Sequence, residues 1–152
     1  MRIDFPKHLI REITDACRRS GINEVGGILF GEHIDTEHFR VVELTVDEQG
    51  LIASFKRSIQ HVLGSCKRFF NRTNHDYSRF NYLGEWHSHP SYEVFPSSRD
   101  DQSMLDIVCD QTVGANFVVL AIVRLNKESL DLKCWVYFPD SSRSDVDIKF
   151  VD

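Results

Sequence analysis

Basic charge is in short supply in this chain of 152 residues: 18 Lys and Arg stand against 23 Asp and Glu, a net charge of −5. A protein that tracks a phosphate backbone needs a basic excess to displace counterions, so nucleic acid is not an expected partner. Long apolar runs are also missing. The longest, Phe117 to Val123, has seven residues, against roughly 20 needed to cross a bilayer, so no membrane span is expected. Charged residues (Asp4, Arg11, Glu12, Asp15) interrupt the first turns, which is not the pattern of a secretory leader. Cysteine is sparse and unpaired in pattern: Cys17, Cys66, Cys109 and Cys134 lie far apart, with no C-x-x-C. Free, buried thiols in a reducing cytoplasm are the expectation. No repeat, low-complexity tract or linker interrupts the chain, so residues 1–152 are expected to form one domain.

The patterning that is present alternates between strand and helix signals. Arg2 to Phe5 reads as a strand, and Pro6 suits the first position of a helix, where its missing N–H costs nothing. Leu9, Ile10, Ile13, Ala16 and Cys17 recur at helical spacing, and Gly21 marks the stop. Gly26 to Gly31 and Phe39 to Val46 read as strands joined through the polar segment His33 to Glu37. Ile59, Val62, Leu63, Cys66, Phe69 and Phe70 form an apolar stripe, which predicts a second helix with Arg57, Lys67, Arg68 and Arg72 on its solvated side. Phe80 to His89 is a strand entering a loop that holds Pro90 and Pro96, and Ser97 or Ser98 caps a third helix carrying Met104, Leu105, Ile107 and Val108. Phe117 to Arg124, Leu130 to Phe138 and Val146 to Val151 are further strands, and Trp86 and Trp135 read as core. Mixed strands and helices without strict alternation predict an α+β fold, a mixed sheet sandwiched by helices.

One segment stands apart, Gly84-Glu85-Trp86-His87-Ser88-His89-Pro90. His87 and His89 are two apart at a strand end, so both rings point to one face, as half of a metal site requires. Asp100, eleven residues beyond His89, is within reach of a loop that folds back. Two His and one Asp leave a tetrahedral position open, the mark of a catalytic zinc. Glu24, before Gly26-Gly27, is the candidate base, and Ser97 is a candidate donor to an oxyanion. Each part also has a plainer reading. Ser97-x-x-Asp100 is a capping box, H-x-H occurs on ordinary strands, and Glu24 alone is a solvated residue after a helix. Alternation places Glu85 on the face of His87 and His89, as a rival base or a supporting group. His8, His33, His38, His61 and His75 fall outside the spacing and read as surface or helix-face residues.

Glu24, His87-Ser88-His89-Pro90, Ser97 and Asp100 together resemble the JAMM (JAB, MPN+) metalloprotease signature, with no mismatch in spacing. The likeness extends over most of the chain, and the string Gly-Glu-Trp-His-Ser-His-Pro is similar to compact bacterial JAB proteins, whereas many eukaryotic members carry an aromatic residue where Glu85 stands. The resemblance implies a JAB/MPN-like, cytidine-deaminase-like architecture. It implies one Zn²⁺ held by His87, His89 and Asp100, with Glu24 moving the proton and Ser97 steadying the oxyanion. It further implies cleavage after the C-terminus of a ubiquitin-like modifier or of a conjugated bacterial nucleotidyltransferase (CD-NTase), alongside ubiquitin-activating-like and conjugating-like enzymes of CBASS anti-phage operons. The substrate tail is expected to pair at the strand edge near Gly26 and Gly27, with Tyr92 and Phe95 either flooring its channel or simply packing in the core. Two alternatives stand beside it: a non-catalytic MPN-type module that holds a modifier tail, and a metal hydrolase for small molecules.

Overall fold

The computed structural model describes residues 1–47, 55–127 and 129–152, and side chains outside 55–62. In chain order the elements are β1 (Arg2–Pro6), α1 (Lys7–Ser20), β2 (Gly26–Asp35), β3 (His38–Leu44), α2 (Phe55–Arg72), β4 (Phe80–Ser88), α3 (Ser98–Cys109), β5 (Val118–Asn126), β6 (Ser129–Tyr137), β7 (Arg143–Asp145) and β8 (Asp147–Val151). The strands form one mixed sheet of order β7-β6-β5-β4-β2-β3-β1-β8.

Strand alternation divides the core between the two faces of this sheet. On one face α1 buries Leu9, Ile13, Ala16 and Cys17 against Leu29, Trp86, Val119 and Ala121. On the other, Phe69 of α2 packs on Ile28 and Phe30, while Met104 and Val108 of α3 pack on Leu120, Ile122 and Trp135. The sheet is thus sandwiched, as the pattern predicts. No helix among the described residues is long and apolar enough to cross a membrane.

Several details depart from the sequence reading. Pro6 ends β1 and caps α1 from outside the helix, with φ −60° and ψ 136°, because an extended ψ lets the residue serve both elements. β2 runs on to Asp35, so only Thr36 and Glu37 turn the chain, Glu37 at φ 54°. The polar stretch taken for a connection is mostly solvated strand. β7 carries no apolar residue and is exposed throughout, which left nothing for a pattern to detect. Leu63 is 61% exposed, and Ser65 takes a buried place on α2 instead. Cys17 and Cys134 are buried as expected, Cys66 is half-buried and Cys109 is exposed, at the C-terminal end of α3 beyond the core. His38 is half-buried and bonded to Asp4 rather than free at the surface. Arg57, Ile59, His61 and Val62 have side chains outside the described set.

β4 is the strand that positions the site. It pairs antiparallel with β2 on one side and parallel with β5 on the other. A parallel neighbour requires a crossover, and the crossover here is the loop 89–97 followed by α3. The end of β4 and the start of α3 therefore lie at the same end of the sheet. A register shift against β2 at Leu29/Phe30 accompanies Gly84 at φ 153°, where a Cβ would come within 1.9 Å of the Val119 carbonyl oxygen.

Candidate metal centre

His87 and His89 leave the end of β4 on the face covered by α2 and α3, and both are buried. Their Nε2 atoms are 3.0 Å apart. Asp100, in the first turn of α3, places Oδ1 3.4 Å from His87 Nε2 and Oδ2 3.6 Å from His89 Nε2. One ligand atom from each of the three lies within 4.8 Å of the others. The tautomer of His89 is set by its far side, because Nδ1 lies 2.8 Å from the carbonyl oxygen of Glu93 and must donate to it. Its Nε2 then presents a lone pair to the centre. Convergence of that lone pair, a second imidazole nitrogen and a carboxylate asks for a proton or a cation among them, so the donor set fits a metal ion.

Asp100 combines the two readings that the sequence left open. Ser97 is the N-cap of α3: its Oγ accepts the Asp100 N–H at 3.2 Å, and Asp100 Oδ2 accepts the Ser97 N–H and hydroxyl, both at 2.7 Å. The same carboxylate closes the capping box and faces the histidines, at the helix terminus whose dipole favours negative charge. Burial alone would raise the Asp100 pKa. The facing His87 and His89 rings and the hydrogen bonds from Ser97 outweigh it and hold the carboxyl far below the usual range. The Asp100 carboxylate facing it raises the His89 pKa, against the opposing effect of burial. Asp101, the other acid in that turn, is taken by Tyr137 and Arg143 instead.

Glu24 reaches the same place from another part of the chain. It lies half-buried just before β2 and lines an open pocket of about 390 Å³ with His89, Tyr92, Phe95, Ser97 and Asp100. Its position depends on the last residue of β4. Ser88 donates its N–H to the Val25 carbonyl at 2.7 Å and accepts the Val25 N–H on its Oγ at 3.0 Å. These two bonds fasten the residue after Glu24 to the residue between the histidines. No local signal reports this pairing, which spans 63 positions.

Tyr92 and Phe95 are 65% and 50% exposed at the rim, so they form pocket wall rather than core. Glu85 shares the β4 face with His87 but does not line this pocket. It lies by Tyr82, and burial pushes its carboxyl up to about 7. Gly26 and Gly27 permit close approach, but to the chain's own backbone. A Cβ on Gly26 would meet the Trp86 carbonyl oxygen at 2.5 Å, and one on Gly27 the Thr45 carbonyl oxygen at 1.8 Å. β4 pairs with both glycines on one side and Asp47, beyond β3, bridges to Gly26 on the other, so among the described residues no open edge remains here for a substrate tail.

Comparison with known proteins bears on the family and the fold. The family of prokaryotic homologs of the JAB domain matches residues 6–136. A protein of Enterobacter hormaechei subsp. hoffmannii (strain UCI 50) described as a CD-NTase/cGAS isopeptidase is 30% identical over 102 residues, 66% of this chain and 55% of that protein. The chain thus spans about half the length of that curated relative. Among solved structures, a Desulfitobacterium hafniense protein determined in solution superposes with TM-score 0.68 at 17% identity, covering 99% of this chain and 93% of that one. A JAB1/MPN domain protein from Archaeoglobus fulgidus superposes with TM-score 0.50 at 15% identity and 97% coverage of both chains. The two solved structures speak to the fold alone.

Proposed function

Given that the chain belongs to the family of prokaryotic homologs of the JAB domain, we propose that it is a zinc-dependent isopeptidase acting on a protein substrate with an extended C-terminal tail. The observation that carries this reading is the convergence of His87, His89 and Asp100, with His89 and Asp100 sharing one open pocket with Glu24. The relative's description as a CD-NTase/cGAS isopeptidase supports a conjugated nucleotidyltransferase as the substrate class. Activating-like and conjugating-like enzymes as suppliers of that conjugate rest on the resemblance in sequence alone.

His87, His89 and Asp100 would hold the zinc ion, which in such sites supplies Lewis acidity that polarises a carbonyl and acidifies water. Glu24 accepts the proton of the attacking water on its carboxylate and hands it to the departing amine nitrogen, of a lysine side chain or of a backbone. Ser97 Oγ lines the same wall and donates to the carbonyl oxygen as negative charge grows there, turning from Asp100 to do so. Tyr92 and Phe95 shield one side of the pocket from water.

The test is cleavage by the zinc-loaded protein of a nucleotidyltransferase fused through its C-terminus to a reporter, with the cut located by mass spectrometry. Glu24→Gln should lose on the order of 10²-fold or more in kcat with zinc retained. Glu85→Gln should stay within a few fold of wild type, because Glu85 is outside the pocket. The reverse ranking would transfer the base role to Glu85, and binding of the tail without any cleavage would favour a non-catalytic module.

A further inference from the structure

The sheet has an open edge next to the metal pocket. β7 covers Trp135 to Tyr137 of β6 and Val146 bonds to Cys134, while among the described residues Leu130 to Lys133 have a partner on the β5 side alone. Which backbone groups face that open edge follows from two bonds. The Phe138 N–H donates to Ser142 and the Cys134 carbonyl accepts from Val146, both across the outer side. The β5–β6 register is regular, so alternation turns the N–H and C=O of Leu132 and Leu130 the same way. Among the described residues nothing pairs with them.

A groove runs along this edge and joins the pocket. Its near part, about 630 Å³, is lined by Glu93, Phe95, Arg124, Leu130, Leu132 and Phe150. A further part of about 330 Å³ continues past Lys133 and Trp135 to Ile148 of β8. Glu93 and Phe95 line the metal pocket as well, so groove and pocket share a wall. Phe95 is held there, its ring 5.6 Å from Trp135 and under the Arg143 guanidinium at 5.2 Å, yet half exposed. Phe150, 54% exposed, faces the groove from β8. Arg124 binds the Tyr92 carbonyl through Nη1 and leaves Nε buried without a partner.

We infer that the free edge of β6 from Leu130 to Lys133 is the docking strand for the substrate, which adds to it as an extended segment running past Phe95 into the metal pocket. This rests on reading the pocket as the place of cleavage. The occupant is a peptide strand with apolar side chains at alternate positions. Alternation brings those side chains onto Phe95 and Phe150, while main-chain groups satisfy Leu130 and Leu132. A segment of about five residues spans the edge at roughly 3.3 Å each. This is the form of a flexible tail, not of a folded surface.

The experiment uses the zinc-loaded full chain and a pool of end-blocked peptides about a dozen residues long with alternating apolar positions. Amide hydrogen exchange is followed on Glu24→Gln protein, so that binding is read without turnover, and KM and kcat are measured on wild type. The amides of Leu130 and Leu132 should slow at least about tenfold with peptide bound. Leu132→Pro removes one outward N–H and leaves the β5 ladder intact, as edge strands allow. It should raise KM about tenfold with kcat little changed. Should Leu132→Pro not fold, Phe150→Ala is read for the same KM effect. Cleavage with unprotected amides and unchanged KM overturns the docking strand and spares the hydrolase reading. Protected amides without cleavage by wild type keep the docking strand and overturn the hydrolase reading. Neither effect overturns both.

Discussion

Asp100 is a cap and a histidine-facing carboxylate at once, and the two duties separate by substitution. Asp100→Asn keeps an oxygen for the Ser97 N–H, so the chelator-treated variant should melt close to wild type. Asp100→Ala loses that acceptor and should cost about 1 kcal/mol, a shift of a few degrees in a thermal scan. Equal melting of the two variants would mean that the box contributes nothing to the helix start. Ser88 gives a second residue-scale prediction. Ser88→Ala strands the buried Val25 N–H, at about 1–3 kcal/mol, and releases the segment that aims Glu24. Turnover should fall on the order of tenfold to a hundredfold with zinc content unchanged, and Ser88→Thr should restore most of it. A stability loss with full turnover would reduce Ser88 to a structural bond.

Among the elements, β1 and β3 are joined by a charged cluster away from the metal centre. Buried Asp4 accepts from Arg2 Nε and lies against His38 Nε2, each at 2.9 Å. Burial alone would raise the Asp4 pKa, but the hydrogen bonds from His38 and Arg2 prevail and lower it. A carboxyl lowered on folding stabilises above its unfolded pKa, about 4, and the contribution is lost as pH falls through the folded value. Asp4→Asn should therefore unfold about 1–3 kcal/mol more easily at neutral pH, with a smaller loss on acidification below about pH 4. Denaturant titrations at a series of pH values check this, and parallel curves for the two proteins would remove Asp4 from the acid response. The elements themselves were unevenly legible. α1 and the ends of β4 and α3 announce themselves through apolar periodicity and the Ser97–Asp100 signal. β7 and the outer half of β2 are solvated, and their pairing rests on backbone bonds that leave no pattern in side-chain type.

At the scale of the whole molecule, the site exists because a parallel pair, β4 and β5, forces a crossover that returns a helix N-terminus to the end of the strand carrying His87 and His89. His87, His89 and Asp100 were readable because alternation and a short loop restrict where they can point. Glu24 was readable only through its coincidence with them. Its attachment by Ser88, the closure of both flanks of Gly26 and Gly27, and the open edge of β6 depend on strand order, which chain-local patterns do not encode. The most direct measurement of the central claim is the zinc content of the purified full chain and of its His87→Ala, His89→Ala and Asp100→Asn variants by elemental analysis. The account predicts one zinc per wild-type chain and loss of bound zinc in each folded variant. A folded wild type that takes up no zinc, or variants that retain it, would contradict the account.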